Sequence, residues 1–130
     1  MTPESERYLA KSNLTLEHAR KMLGIDLTED AGRTAYLASY HAAEAFIFER
    51  TGRITKTHSG AHREFARLAT NEPRIHIELR RFLPQAYNLK AVCDYELGPG
   101  AVIPYEIASA AIETAARFIA CITDILNSPI

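Results

Sequence analysis

The chain is apolar at almost every position from 36 to 48, where it reads Tyr36-Leu-Ala-Ser-Tyr-His-Ala-Ala-Glu-Ala-Phe-Ile-Phe48. Read as a helix, Ala31, Ala35, Ala38, Ala42 and Ala45 recur at alternating steps of four and three and form one seam of small side chains. Tyr36, Tyr40 and Ile47 fall on the opposite side. A helix that is hydrophobic all round belongs at the centre of a bundle. His41 falls between the alanine seam and Leu37/Phe48, which excludes a plain surface position.

The same periodicity places four more helices. The first is predicted from about Pro3 to Leu23. Thr2 stands as its N-cap and Gly24 as its stop, and Leu9, Leu16 and Leu23 alternate with Ser5, Ser12 and Ala19. After a break at Ile25 to Leu27, Thr28 caps the second helix, Glu29 and Asp30 complement its dipole, and it ends near Gly52. Arg53 to Ser59 reads as a loop, and a shorter helix follows from about Ala61 to Ala69. After Asn71-Glu-Pro73, a fourth helix runs from about Arg74 to Tyr95, with a kink or division expected at Pro84. Gly98, Pro99 and Gly100 mark a linker. Pro104 opens the last helix, which runs to about Leu126 with Ile107, Ala111, Ala115, Phe118, Ile122 and Ile125 as its apolar stripe. No segment has the period-two alternation of a strand. The expected architecture is all-α: an antiparallel up-and-down bundle of about five helices forming one domain over residues 1–130.

Composition narrows the class further. A net charge of -1 argues against a general polyanion binder while leaving room for a local basic patch. No apolar run reaches bilayer length, and the N-terminal Met-Thr-Pro-Glu-Ser-Glu lacks the character of a signal peptide, so a cytoplasmic protein is expected. Cys93 and Cys121 sit among apolar residues without metal-type spacing and read as buried free thiols.

Candidate chemistry is sparse. His58 and His62 are four apart, a spacing that metal sites use on a helix. Gly60 lies between them, however, and no third ligand is evident, so a solvated helix start is the better reading and no metal or cofactor is expected. Arg74, His76, Arg80 and Arg81 with Glu78 read as a solvated charged face, and Glu113 with Arg117 as an i,i+4 pair. Two places are harder to read as plain scaffold. Lys56-Thr-His58-Ser-Gly60 gathers an ammonium, an imidazole and two hydroxyls before a helix start, where free amide N–H groups favour an anion. In Leu89-Lys-Ala-Val-Cys-Asp-Tyr95, Lys90 and Asp94 lie one turn apart and share a face with Tyr87 and Leu83. An aspartate near a helix C-terminus opposes the dipole, which suggests a role other than helix stability.

Four stretches in order carry a resemblance: Ala35 to Phe46, Lys56 to Gly60, Asp94-Tyr95, and Ile112 to Ile119. Together they resemble a prokaryotic HEPN domain (higher eukaryotes and prokaryotes nucleotide-binding), in the branch whose second helix reads tyrosine-x-alanine-x-x-histidine-alanine-alanine. The resemblance implies an all-α bundle, usually a homodimer. It also implies a ribonuclease of toxin–antitoxin or defence systems, or a partner of a small nucleotidyltransferase. Active members carry an arginine and, four to six residues on, a histidine in a late helix; the nearest branch has arginine-x-x-alanine-aspartate-tyrosine there. In this chain Lys90 stands at the arginine, Cys93 at the alanine, and Asp94 and Tyr95 match, while no histidine follows Lys90. Lysine supplies a point charge without the planar fork of arginine. Arg53 and His58 match the arginine–histidine spacing, but in a loop, and count as coincidence unless the fold brings His58 to Lys90.

The expectation is therefore a nucleotide- or RNA-binding, or nucleotidyltransferase-partner, module with weak or no catalysis. Its cleft is lined by His41, Lys56, His58, Lys90, Asp94 and Tyr95. The alternative is a metal-independent endoribonuclease with a composite dimer-interface site, in which His58 or His41 acts as base, Lys90 steadies the phosphate and Asp94 assists.

Overall fold

The computed structural model describes residues 1–95 and 103–128, with side chains described outside 92–95. The described residues hold five helices: α1 (Pro3–Gly24), α2 (Thr28–Thr51), α3 (His58–Ala69), α4 (Ile77–Tyr95) and α5 (Tyr105–Asn127). No strand occurs among the described residues. Short turns join α1 to α2 and α3 to α4, and α2 packs against each of the other four helices. The all-α bundle read from periodicity is the observed fold.

The α1–α2 pair is the densest part of the bundle. Ala31, Ala35, Ala38, Ala42 and Ala45 are all fully buried, and so are Ser5, Ser12 and Ala19 on the facing helix. Small side chains let the two backbones come close, and the serines use that closeness. Ser12 Oγ donates to the Ala38 carbonyl at 2.6 Å, and Ser5 Oγ donates to the Ala45 carbonyl at 3.4 Å. Both carbonyls belong to helical residues of α2, so the serines are satisfied without breaking that helix. Leu9, Leu16 and Leu23 fill the flanks. The Thr2 N–H donates to Glu49 Oε1 at 2.9 Å and fixes the start of α1 to the end of α2.

Helix boundaries differ from the sequence reading in three places. Thr28 is the first residue of α2 rather than its cap; Leu27 holds the cap position and supplies no side-chain acceptor. The preceding turn instead needs Asp26 at φ 62, a left-handed conformation that aspartate tolerates better than most residues. The third helix begins at His58, three residues earlier than expected, because Thr57 caps it by accepting the Gly60 N–H at 2.9 Å. A Cβ at position 60 would stand 2.9 Å from that same Thr57 oxygen, so glycine makes room for the cap instead of weakening the helix. The fourth helix begins at Ile77, not Arg74, and continues through Pro84 as one element. Pro84 is exposed, so the carbonyl four residues back loses its partner beside solvent, where the loss is tolerated.

Two side-chain expectations also change. The buried face of α5 is Ala108, Ile112, Ala115, Phe118, Ile119, Ile122, Ile125 and Leu126, whereas Ile107 is 50% exposed. The face that meets α2 is thus rotated from the expected stripe in the first turns. Cys121 is half-buried rather than buried, a free thiol that reaches the Arg74 carbonyl. Cys93 lies outside the described side chains.

The charged segment at 72–81 is not one solvated face. Glu72, 5% exposed, accepts Arg74 Nε and Nη2, both at 2.8 Å, and Arg50 Nη2 at 3.0 Å. Arg74 also donates to the Ser128 carbonyl, so one carboxylate links α2, the α3–α4 turn and the end of α5. Arg80 donates to the Ile75 and Glu72 carbonyls, and Arg117 pairs with Glu78 across helices instead of with Glu113. The two arginines hold the Glu72 carboxyl down at about 2, the Arg74 hydrogen bonds acting against desolvation.

Two outcomes follow from this packing. Ala38→Leu drives extra side-chain bulk into the α1–α2 seam and is expected to cost about 1–3 kcal/mol or more in urea unfolding, against about 1 kcal/mol for Ser12→Ala. Because the folded pKa of Glu72 lies below its ordinary 4.5, the stability it contributes is present above pH 4.5 and lost as pH falls toward 2. Allowing for half-exposed arginines, that share is about 1–2 kcal/mol. In a pH series of unfolding curves, Glu72→Gln is expected to flatten this acid limb.

Candidate functional site

Two pairs of aromatic residues at helical spacing build the polar centre of the bundle. Tyr36 and Tyr40 lie one turn apart on α2, and His58 and His62 one turn apart at the start of α3. Each pair therefore presents both rings on one helix face. The two faces meet. Tyr36 Oη stands 2.6 Å from His58 Nδ1 and 2.8 Å from His62 Nε2. Tyr40 stacks on His58 with ring centroids 4.3 Å apart. The third wall is α4. Tyr87 packs its edge against Tyr36 at 5.3 Å and lies 5.5 Å from His58 and 5.2 Å from His62. Lys90, one turn further on, holds its ammonium 5.9 Å from the centre of the Tyr87 ring.

The electrostatics follow from burial. Tyr36 is fully buried, and loss of solvent is the main reason its hydroxyl is held protonated well above the ordinary phenol range. His58 and His62 are both pushed below the ordinary imidazole value, first by desolvation. For His58 the next cause is the Lys90 charge, which outweighs the opposing Glu44 carboxylate; for His62 it is His58 itself. Both rings are thus neutral near pH 7, and a cation stands beside one of them. A neutral imidazole next to an ammonium can accept a proton or hydrogen bond from a ligand whose anionic part the ammonium attracts.

The sequence-derived residues are distributed unevenly around this centre. His58 and the Lys90 ammonium both lie against Tyr87, at 5.5 and 5.9 Å from its ring centre, so the fold does bring His58 to the Lys90 helix, while Arg53 stays exposed in the loop before α3. His41 sits at the margin. Its Nδ1 lies 2.9 Å from Glu44 Oε1, and its ring stands edge-on to Tyr40 at 6.1 Å. That makes it a partly buried histidine with a carboxylate partner on its own helix. Lys56 is exposed on the turn before Thr57, outside the Tyr36–His58–His62 hydrogen bonds. The side chains of Asp94 and Tyr95 lie outside the described residues. No group of three or more metal-type ligands occurs among the described residues. A concavity of about 390 Å³ lined by Arg74, Cys121, Asp124, Ile125 and Ser128 includes none of the cluster.

Tyr36, Tyr40, His62 and Tyr87 were missed as site residues by periodicity, which reads two of them as core bulk and His62 as helix start. A signal was present: two aromatic pairs at i,i+4 spacing, in adjacent helices, have to meet somewhere. What periodicity lacks is the angle between the helices.

The chain belongs to the HEPN domain family, whose pattern matches residues 5–125. Among solved structures it is similar to TT1696 from Thermus thermophilus, with 18% identity over 95% of this chain and 98% of that one and a TM-score of 0.75. At that identity the likeness concerns the fold. No curated protein matches the chain. No helix among the described residues is long and apolar enough to cross a membrane.

The histidines carry a pH signature. Their folded values lie below the unfolded 6.5, so the unfolded chain binds protons more tightly and stability falls as pH drops below 6.5. Unfolding curves between pH 7 and about 5 are expected to show this limb, separate from that of Glu72, and His62→Leu is expected to reduce it.

Proposed function

We propose that this HEPN domain is a nucleotide- or RNA-binding module whose site is the cluster between α2, α3 and α4. The observation that carries the reading is that Tyr87 has both His58 of α3, 5.5 Å between ring centroids, and the Lys90 ammonium, 5.9 Å from its ring centre, as neighbours. Lys90 attracts a phosphate, neutral His58 supplies an acceptor for a ribose hydroxyl, and Tyr87, partly exposed, offers an aromatic ring to a base. His41 at the margin and Lys56 at the α3 approach complete the proposed lining, to which the sequence reading adds Asp94 and Tyr95. Family membership supports the wider setting: a homodimer in a toxin–antitoxin-like system, with a small nucleotidyltransferase as protein partner. The domain is read as one unit over residues 1–130.

The second reading is a metal-independent endoribonuclease, favoured by the neutrality of His58 beside a cation. In that chemistry His58 takes the proton of a ribose 2′-hydroxyl and the resulting oxygen attacks the adjacent phosphorus to form a 2′,3′-cyclic phosphate. The bond from phosphorus to the 5′-oxygen of the next nucleotide breaks, that oxygen leaves as a hydroxyl with a proton from water, and Lys90 steadies the negative charge in between. The binding reading is preferred because lysine gives one point charge where the family's active members hold an arginine fork.

Fluorescence anisotropy with a labelled single-stranded RNA tests the first reading. Lys90→Ala is expected to weaken binding about tenfold at low salt and to lower the salt slope. Equal binding by wild type and Lys90→Ala would remove the cluster from consideration. In a cleavage assay of the pure protein, activity that vanishes in a Lys90→Ala/His58→Ala double variant establishes the second reading. Activity that persists unchanged points to a contaminating nuclease.

A further inference from the structure

Tyr36 has one hydroxyl hydrogen and two imidazole nitrogens within hydrogen-bond distance of its oxygen. The hydroxyl can donate to one of them, so the other has to donate to the phenol oxygen. Two proton arrangements satisfy all three groups. In one, Tyr36 donates to His58 Nδ1 and His62 Nε2–H donates to Tyr36, which puts the proton of both rings on Nε2. In the other, Tyr36 donates to His62 Nε2 and His58 Nδ1–H donates to Tyr36, which puts the proton of both rings on Nδ1. The shared hydroxyl therefore forces the two histidines into the same tautomer. It also leaves one bare nitrogen away from the phenol: His62 Nδ1 in the first arrangement, His58 Nε2 in the second.

The surroundings choose between them. Lys90 is a donor with no acceptor capacity, and it reaches the same Tyr87 ring that packs against His58, where its positive charge bears on the imidazole. With Nδ1 of His58 taken by Tyr36, Nε2 is the ring nitrogen left for any other partner, and near a positive charge a lone pair there is favoured over an N–H. The carboxylate that would favour the opposite choice is Glu44, whose Oε1 is engaged by His41 Nδ1 at 2.9 Å. Tyr40 and Tyr87 complete the shell with ring faces and edges.

We propose that Tyr36 and His62 are positioning residues: through one shared proton they hold His58 in the Nδ1–H tautomer and leave its Nε2 bare for a ligand. The use of that nitrogen rests on the reading of the cluster as a nucleotide or RNA site. When a ligand hydroxyl donates to His58 Nε2, or gives up its proton there, no hydrogen bond behind the ring has to reverse. In the alternative tautomer the same event would require Tyr36 to turn over and His62 to move its proton from Nε2 to Nδ1. His62 thus acts on the ligand without touching it, and Tyr36 is the link.

Long-range proton–nitrogen NMR on the uniformly labelled full chain at neutral pH tests the lock directly. In the wild type both His58 and His62 are expected to show the Nδ1–H pattern. His62→Leu removes the acceptor of the Tyr36 hydroxyl, which then turns to His58 Nδ1 and is expected to switch His58 to the Nε2–H pattern. Tyr36→Phe keeps the buried ring and removes the hydroxyl; neither histidine is then expected to keep a single tautomer. Opposite tautomers in the wild type would overturn the shared proton. So would a His58 pattern unchanged in His62→Leu, and Nε2–H on both wild-type rings would overturn the assignment of the bare nitrogen to His58. Binding of single-stranded RNA is followed in parallel, with an expected loss of about three- to tenfold in both variants. A wild type that binds no RNA ends the functional reading of the cluster while the NMR result still decides the lock.

Discussion

The bundle depends on the close approach of α1 and α2. A central helix lined with five buried alanines supplies little apolar bulk along that seam, and its contact with α1 becomes favourable because the facing residues are serines and an alanine. Dispersion falls steeply with separation, so two helices with small side chains gain from contact only when their backbones come near. The buried serine hydroxyls would be costly if left unbonded. At this separation they reach carbonyls of α2 and are satisfied. One side of α2 is thereby closed by a thin, precise contact, and its bulky side, Tyr36, Tyr40, Phe46 and Ile47, is left to meet α3, α4 and α5.

That asymmetry sets up the polar centre. Tyr36 points its ring into the part of the core where α3 begins, and its hydroxyl has to find partners there. His58 and His62 supply them because Thr57 and Gly60 start α3 early enough to put both histidines on its first turns. A helix beginning at Ala61 would have left His58 in a loop, with no geometric reason to sit below Tyr36. The functional reading of the cluster thus traces back to a cap of one threonine and one glycine. At the other end of α2, Glu72 with Arg50 and Arg74 holds the α3–α4 turn in place, which in turn sets where α4 delivers Tyr87 and Lys90.

Much of this was legible in the chain before any coordinates. The five helices, the buried seam and the serine–leucine alternation of α1 could be read from local order, and the HEPN family from the resemblance of four stretches to it. Lys90 and His58 were also identified as chemically unusual, one for its placement beside an aspartate and the other for its polar loop. His41, the most conspicuous histidine, turned out to have a partner of its own in Glu44, and Arg117 chose Glu78 over the nearer Glu113. In both cases the sequence presents a residue and its local neighbours, while the partner is decided by which side chains the packing leaves within reach.

The sequence by itself determined the number of helices and most of their buried positions, because periodicity is a property of one helix and needs no knowledge of the next. Helix starts and the first turns of α5 came out differently. It also determined the kind of chemistry on offer: imidazoles, phenols and the lysines at positions 56 and 90. The tertiary structure alone decided that one phenol stands between two imidazoles and that Tyr87, with Lys90 at its ring, packs against both of them. Those relations depend on the angle and register at which three helices meet. That geometry is set by the summed packing of small and large side chains along the whole of α2, which no single stretch of sequence encodes.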